Sequence, residues 1–336
     1  MKYLSTFMTF GVAVAMVAFA SAAQAKETLT VYTYDAFAAE WGPGPAVKTA
    51  FEAECDCTLD FVALDSSVGI LSRLKLEGAS SPADVVLGLD TNLTVEAKKT
   101  GLLTKHKADV SKVKLPTGPW TDETFVPFDY GYFAFVYNSE TVSDVPSSLN
   151  ELVNADPKLK IVLQDPRSST PGLGFLLWMK SVYGDDAPAA WDKLEDKVVT
   201  TTKSWSDAYF NFFLAGEADM VLSYTTSPAY HLIAENDPKF KAASFTEGHY
   251  MQVEVAAALK SSDTPELAQQ FMQFILEDGF QVAIPTGNWM YPVTDVKQPD
   301  GFETLITPAK TLYLSEGDVN SKRRNWVDEW LDASSN

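Results

Sequence analysis

Apolar and β-favouring residues alternate along LTVYTYD (Leu29–Asp35), which predicts a strand ending at a polar turn. A Pro-rich entry and a helix follow in GPGPAVKTAFEAE. A second strand is expected over Cys57–Leu64, a glycine-closed helix over Ser67–Gly78, and a third strand over Ala83–Asp90. The third strand is apolar on both faces, as in a sheet covered by helices. Strand, helix, strand, helix, strand predicts a parallel, right-handed βαβ lobe. The rhythm breaks at Thr124–Asn138, a long aromatic β stretch. A second α/β pattern then resumes, with helices near Ser148–Asn154, Gly174–Tyr183 and Ala189–Asp196, and another in SDAYFNFFLAGE. Its strands are expected at Lys160–Asp165 and Ala218–Tyr224. Another long β run, Tyr250–Lys260, precedes a helix over Thr264–Glu277.

Two α/β halves joined by two long extended segments predict two lobes with a cleft between them. Lobe 1 is expected over 26–128, completed by part of 250–336. Lobe 2 is expected over 129–249, completed by part of 260–336. Residues 1–25 stand apart: Lys2, an apolar run over Phe7–Ala20, and a small-residue site at Ala23-Gln24-Ala25 form a secretory signal, cleaved before Lys26. An uncleaved anchor would leave the small-residue site unexplained. The later chain has no apolar stretch of the roughly 20 residues needed to span a bilayer. Of the 336 residues, 46% are hydrophobic, enough for a sizeable core.

The formal charge is −19, one unit more negative without Lys2. Such a chain repels nucleic acid and anionic lipid, and no nucleic-acid partner is expected. The two cysteines, Cys55 and Cys57, lie in an exported chain, so a local disulfide is expected over a metal site. His106, His231 and His249 are scattered without metal-ligand spacing, and no metal site is expected. His231 is expected on its helix near the cleft rim, and His249 near a hinge.

In open α/β sheets, ligands bind beyond the carboxyl ends of strands. Those ends carry aromatics and hydroxyls here: Tyr34 and Trp41 after the first strand, Asp65, Ser66 and Ser67 after the second. PRSSTPGLG, with Ser169 and Thr170, follows Lys160–Asp165, and TTSPAY follows Ala218–Tyr224. Aromatic faces attract cations, and hydroxyls at a helix start accept an anion or a neutral polar group, though they also cap helices everywhere. PTGNWMYPV (Pro285–Val293) sets Trp289 and Tyr291 inside a turn-rich frame. They either plug the core or wall something that closes. This mixture points to binding over catalysis, and no catalytic residue is assigned. No G-x-S-x-G elbow precedes a helix. A carboxylate pair of Asp129 with Asp65 can be drawn for a secreted hydrolase, but sequence cannot judge their separation.

TVYTYDAFAAEWGPGPAVKTAFEAEC, FVPFDYGYFAFVYN, QDPRSSTPGLGFLLWMKSVYGDDAPAAW, VLSYTTSPAYH and IPTGNWMYPV resemble the corresponding stretches of periplasmic thiamine-binding proteins, the soluble receptors of bacterial thiamine ABC importers. The resemblance covers essentially the whole mature chain. It implies an α/β, two-lobed type II periplasmic binding fold with two parallel-cored sheets joined by two extended hinge crossings. It also implies a periplasmic monomer, no cofactor and no enzymatic activity. The ligands would be thiamine, thiamine monophosphate and thiamine diphosphate, and the partner an inner-membrane permease. Carried over by motif, Tyr34 and Trp41 would wall the ligand from lobe 1, with Ser169 and Thr170 as polar contacts for a phosphate end. Trp205 would offer an aromatic face, Tyr224, Thr225, Thr226, Ser227, Pro228 and Tyr230 the opposite side, and Trp289 a lid-side wall. Relatives can carry an acidic residue then glycine after the second strand. Here Ser66 and Ser67 stand there, one step after Asp65, so either Asp65 swings in or the contact is a neutral hydrogen bond. A receptor of the same fold for another ligand, such as ferric ion, is the alternative.

Overall fold

The computed structural model describes residues 26–334, so the expected secretory signal lies outside the described residues. Strands β1 (Thr28–Tyr34), β2 (Thr58–Leu64) and β3 (Val85–Asp90) form a parallel trio with β1 in the middle. After the long β4 (Val126–Asn138), strands β5 (Ile161–Gln164), β6 (Val198–Thr202) and β7 (Met220–Tyr224) form a second trio around β5. The short β8 (Phe240–Ala242) pairs with β4, and β9 (His249–Ala258) runs antiparallel to both β3 and β4.

From edge to edge the order is β2-β1-β3-β9-β4-β7-β5-β6. Read inward from either edge, each half is second strand, first strand, third strand, then one antiparallel long strand. The expected pair of parallel-cored sheets is therefore one hydrogen-bonded path, because the two crossing strands also pair with each other. β4 shows the exchange within a single strand. Its residues Val126–Tyr132 pair with β9, and Phe133–Tyr137 pair with β7. All ten positions of β9 are buried, as a strand covered on both faces requires.

Helices cover these faces for local reasons. Ser66 caps the helix Ser67–Glu77 by accepting the Gly69 N–H at 3.2 Å. The helix Thr170–Tyr183 packs closely on β4 because a Cβ at Gly174 would sit 1.9 Å from the Phe133 ring. Pro265–Phe274 puts Leu267, Phe271 and Met272 into the core around Phe37, Phe51 and Phe128. The C-terminal helix Glu316–Ala333, which the pattern of apolar positions does not announce, lays Val319 and Trp330 on the core that holds Phe133, Phe135 and Trp178. SDAYFNFF also departs from expectation: Asp207–Phe213 winds as a π-helix, a form that recurs at functional sites. β10 (Tyr291–Pro292) adds to β4, and β11 (Thr311–Leu312) to β9.

Cys55 and Cys57 are bonded to each other, their Cα atoms 5.1 Å apart. The backbone bends enough because Asp56 adopts the left-handed conformation at φ 50° as the helix Gly44–Cys55 ends.

Candidate functional site

Between the two halves lies a cavity of about 500 Å³. Tyr34, Asp35, Trp41, Asp65 and Ser66 line it from one half, and Ser169, Thr170, Trp205, Tyr209, Phe210, Tyr224, Ser227 and Tyr230 from the other. The segment Thr286–Met290 supplies Thr286, Asn288, Trp289 and Met290.

The rings are held by specific contacts. Tyr34 ends β1 and lies over Gly88, where β3 bulges at φ +103° and a Cβ would meet the ring at 2.4 Å. Trp205 stacks on Tyr209, centroids 4.9 Å apart, and its Nε1–H donates to Ser223 Oγ at 2.8 Å. Tyr209 is fixed from behind by His231 Nε2 at 2.9 Å from its hydroxyl, and His231 Nδ1 lies 2.6 Å from Glu235. Burial holds the His231 imidazole below its ordinary pKa. Trp289 meets Tyr230 edge to face at 5.5 Å, while Tyr291 turns away to stack on Tyr130 at 5.2 Å. The two aromatics of PTGNWMYPV thus divide the two alternatives: one walls the cavity and the other packs. Trp289 pays with a left-handed backbone at φ 54°, which a bulky residue seldom adopts.

The cavity floor is acidic. Glu254, on β9, accepts the Tyr34 hydroxyl at 2.7 Å and the Gln252 side-chain amide at 3.0 Å. The Tyr224 hydroxyl donates to the other end of that Gln252 amide at 3.0 Å. Asn288 donates to Asp129 at 2.5 Å and to the Tyr34 hydroxyl at 2.8 Å. Burial pushes the Asp129 carboxyl up to about 7. Burial, then the Asp129 charge, holds Glu254 well above the usual carboxylate range.

At the other side, the fourteen-residue helix Thr170–Tyr183 points its N-terminus into the cavity. Ser169 is its N-cap, yet the Ser169 hydroxyl is buried with no hydrogen-bond partner among the described residues. The halves also touch directly here. Ser67 Oγ lies 2.6 Å from Thr170 Oγ1, Ser66 Oγ donates to the Ser168 carbonyl, and Trp41 meets Phe210 edge to face at 6.0 Å.

Residues 24–282 match the pattern of the bacterial extracellular solute-binding proteins. A thiamine-binding periplasmic protein of Escherichia coli (strain K12) is 58% identical over 311 residues, covering 93% of this chain and 94% of that one. The chain belongs to the thiamine-binding periplasmic protein family. A solved structure of a periplasmic thiamin binding protein superposes on this family member with a TM-score of 0.91 at 57% identity, covering 93% of this chain and 97% of that one. Iron-bound HitA from Pseudomonas aeruginosa shares the fold at a TM-score of 0.75 and 22% identity, over 91% of this chain and 99% of that one.

In this member of the family, Tyr34, Trp41, Asp65, Ser66, Ser169, Thr170, Trp205, Tyr224, Ser227, Tyr230 and Trp289 all border the cavity. Ser67, Thr225, Thr226 and Pro228 do not. Ser67 is buried between Thr170 and Asp90. The chain turns after β7 by tying the Thr225 N–H to the Tyr132 carbonyl at 2.8 Å, which buries Thr225 and Thr226 completely. Pro228 opens the helix Pro228–Ala234, where its missing N–H costs nothing. Asp65 is exposed at the mouth, whereas Ser66 is occupied as a helix cap. His231 is fully buried behind Tyr209, not at the rim, and His249 is buried at the start of β9 with Nδ1 2.7 Å from the Phe133 carbonyl. Asp129 faces Glu254 across the strands, not Asp65. Sequence reasoning missed Glu254, Asn288, Tyr209 and Phe210. A single acid inside the apolar run YMQVEVAAALK was the signal that marked Glu254. Among the described residues, no group of three or more His, Cys, Asp or Glu is placed to hold a metal ion.

Proposed function

We propose that this chain is a periplasmic receptor that binds thiamine, thiamine monophosphate and thiamine diphosphate between its two halves and delivers them to an inner-membrane ABC importer. The observation that carries this reading is the cavity itself: seven tyrosine and tryptophan side chains beside an acidic floor, in a chain 58% identical to a thiamine-binding periplasmic protein. Thiamine is a permanent cation with two aromatic rings joined at a bend. Burying such a charge without partners is prohibitive, and electron-rich ring faces offset it by roughly 0.5–2 kcal/mol each when desolvated. Nanomolar affinity needs about −12 kcal/mol, within reach of several stacked rings, a buried carboxylate and a few placed hydrogen bonds once water is excluded.

The cavity is also electrically polar. The Glu254–Asp129 pair makes one side negative, and the helix N-terminus at Ser169, its hydroxyl unpartnered among the described residues, makes the other favourable to an anion. A ligand carrying a cationic ring and a phosphate ester matches both ends. The receptor closes about β4 and β9, the two strands that cross between the halves, and works as a monomer without catalysis or a cofactor.

Titration with thiamine followed by tryptophan emission tests the reading. The cation should quench Trp41, Trp205 and Trp289 with one-to-one saturation. Emission unmoved at millimolar thiamine would reject it.

A further inference from the structure

Three acids form one row across the middle of the sheet. Asp90 on β3 is directly opposite Glu254 on β9, and Glu254 is directly opposite Asp129 on β4. Side chains so paired share one face of the sheet, and like charges placed there repel. Asp90 and Asp129 are fully buried, and Glu254 is 5% exposed with its side chain on the cavity.

The groups facing the row come from every neighbouring element. Tyr34 from β1, Gln252 from β9 and Asn288 from the turn before Trp289 hydrogen-bond to the pair Glu254 and Asp129, and Tyr224 from β7 holds Gln252. All are neutral. Asp90 is served by the Asn92 N–H at 2.7 Å, by Ser67 at 3.3 Å and, electrostatically, by Arg323. Among the described residues no cation pairs with Glu254 or Asp129, and the two carboxyls hydrogen-bond to each other, which requires a proton between them. A buried carboxylate pair without a cation keeps a proton instead of ionising fully.

Resting on the receptor reading above, we propose that Glu254, with Asp129 behind it, is the counter-charge that selects a cationic ring, and that the arriving cation displaces the proton shared by the pair. The O–H bond of the carboxyl breaks and its proton leaves to solvent. The carboxylate left behind is neutralised by the ligand's fixed charge, so the cavity keeps its net charge while gaining an ion pair. An uncharged ring of the same shape gains the stacking and none of this.

The test is calorimetric titration of the intact mature protein with thiamine at about pH 7.5 in two buffers of different ionisation enthalpy. Wild-type protein should release about one proton per ligand bound. Glu254→Gln should abolish most of that release and weaken thiamine at least about tenfold. The same variant should hold the uncharged analogue, with carbon in place of the thiazolium nitrogen, within about threefold of wild type. Asp129→Asn, equally close in shape, should also lose the release, and serves if Glu254→Gln does not fold. Thiamine binding with no proton release, or equal weakening of charged and uncharged ligands by Glu254→Gln, overturns the assignment while leaving the receptor reading intact. Wild-type protein that binds no thiamine overturns both.

Discussion

Trp289 offers the sharpest perturbation of the aromatic wall, because one residue there serves binding and strains the fold. Its ring borders the cavity and meets Tyr230 edge to face at 5.5 Å and 76°. Truncation to alanine removes a ring face worth roughly 0.5–2 kcal/mol toward a desolvated cation. It also removes the edge-to-face pair, about 0.5–1.5 kcal/mol, which orients Tyr230. Together these amount to about 1–3.5 kcal/mol, so Trp289→Ala should weaken thiamine between about fivefold and several hundredfold. The backbone supplies an internal control. At φ 54° and ψ 39°, Trp289 sits where glycine is preferred over alanine by about 1 kcal/mol. Trp289→Gly should therefore lose affinity as severely as Trp289→Ala while unfolding at a higher temperature. Calorimetric titration and thermal unfolding of the two variants together make the assay. Affinity within twofold of wild type in Trp289→Ala would remove the ring from the site. Equal unfolding temperatures for the two variants would refute the strain.

Ser169→Ala should cost thiamine mono- and diphosphate about fivefold to tenfold in affinity and free thiamine almost nothing, since the buried hydroxyl has no partner to lose among the described residues. An equal loss for all three ligands, by competition titration, would take the phosphate end elsewhere. Ser67→Ala breaks the 2.6 Å bond to Thr170 that joins the halves without touching the cavity. All three ligands should weaken alike, by about twofold to tenfold, and small-angle scattering should show a more open ligand-free protein. Unchanged scattering would deny the clasp. Burial raises the Asp129 carboxyl from 3.8 to about 7, so the folded chain binds more protons there than the unfolded one. Its stabilising contribution is full below about pH 4 and is lost as pH rises through about 7. Wild-type stability in denaturant titrations should accordingly fall relative to Asp129→Asn between those values. A pH-independent difference would contradict the burial argument.

The parts of the fold most readable in the sequence were those where burial dictates spacing. β3 and β9 are buried at every position; the apolar run of β3 announced a strand enclosed on both faces, and that of β9 a long strand. β6 escaped notice because VVTTT is short and mostly accessible, so its pattern carries little signal. The C-terminal helix is polar around most of its surface, and long-range contacts hold it: packing of Val319 and Trp330 and ion pairs of Arg323 with Glu96 and Glu329 with Lys180. Nothing in SDAYFNFF separates a π-helix from an α-helix, since the two differ in hydrogen bonding and not in composition. The site was legible as an address: Tyr34 and Tyr224 terminate strands, where ligands of such sheets gather. Direction was not legible. Ser67, Thr225 and Thr226 occupy the right turns but are buried beside the cavity and do not line it, Ser67 against Thr170 and Asp90 and Thr226 against Met290. Glu254 lies in mid-strand, away from any turn, and becomes part of the site only because β9 crosses beneath both halves.

Crystallisation with thiamine tests most directly whether rings from both halves enclose a positively charged heterocycle. Density for the two ligand rings should appear among Trp41, Trp205, Tyr224 and Trp289, with the cationic ring at the Glu254 end of the cavity. Ligand density outside that enclosure, with these four side chains in contact with solvent, would contradict the account.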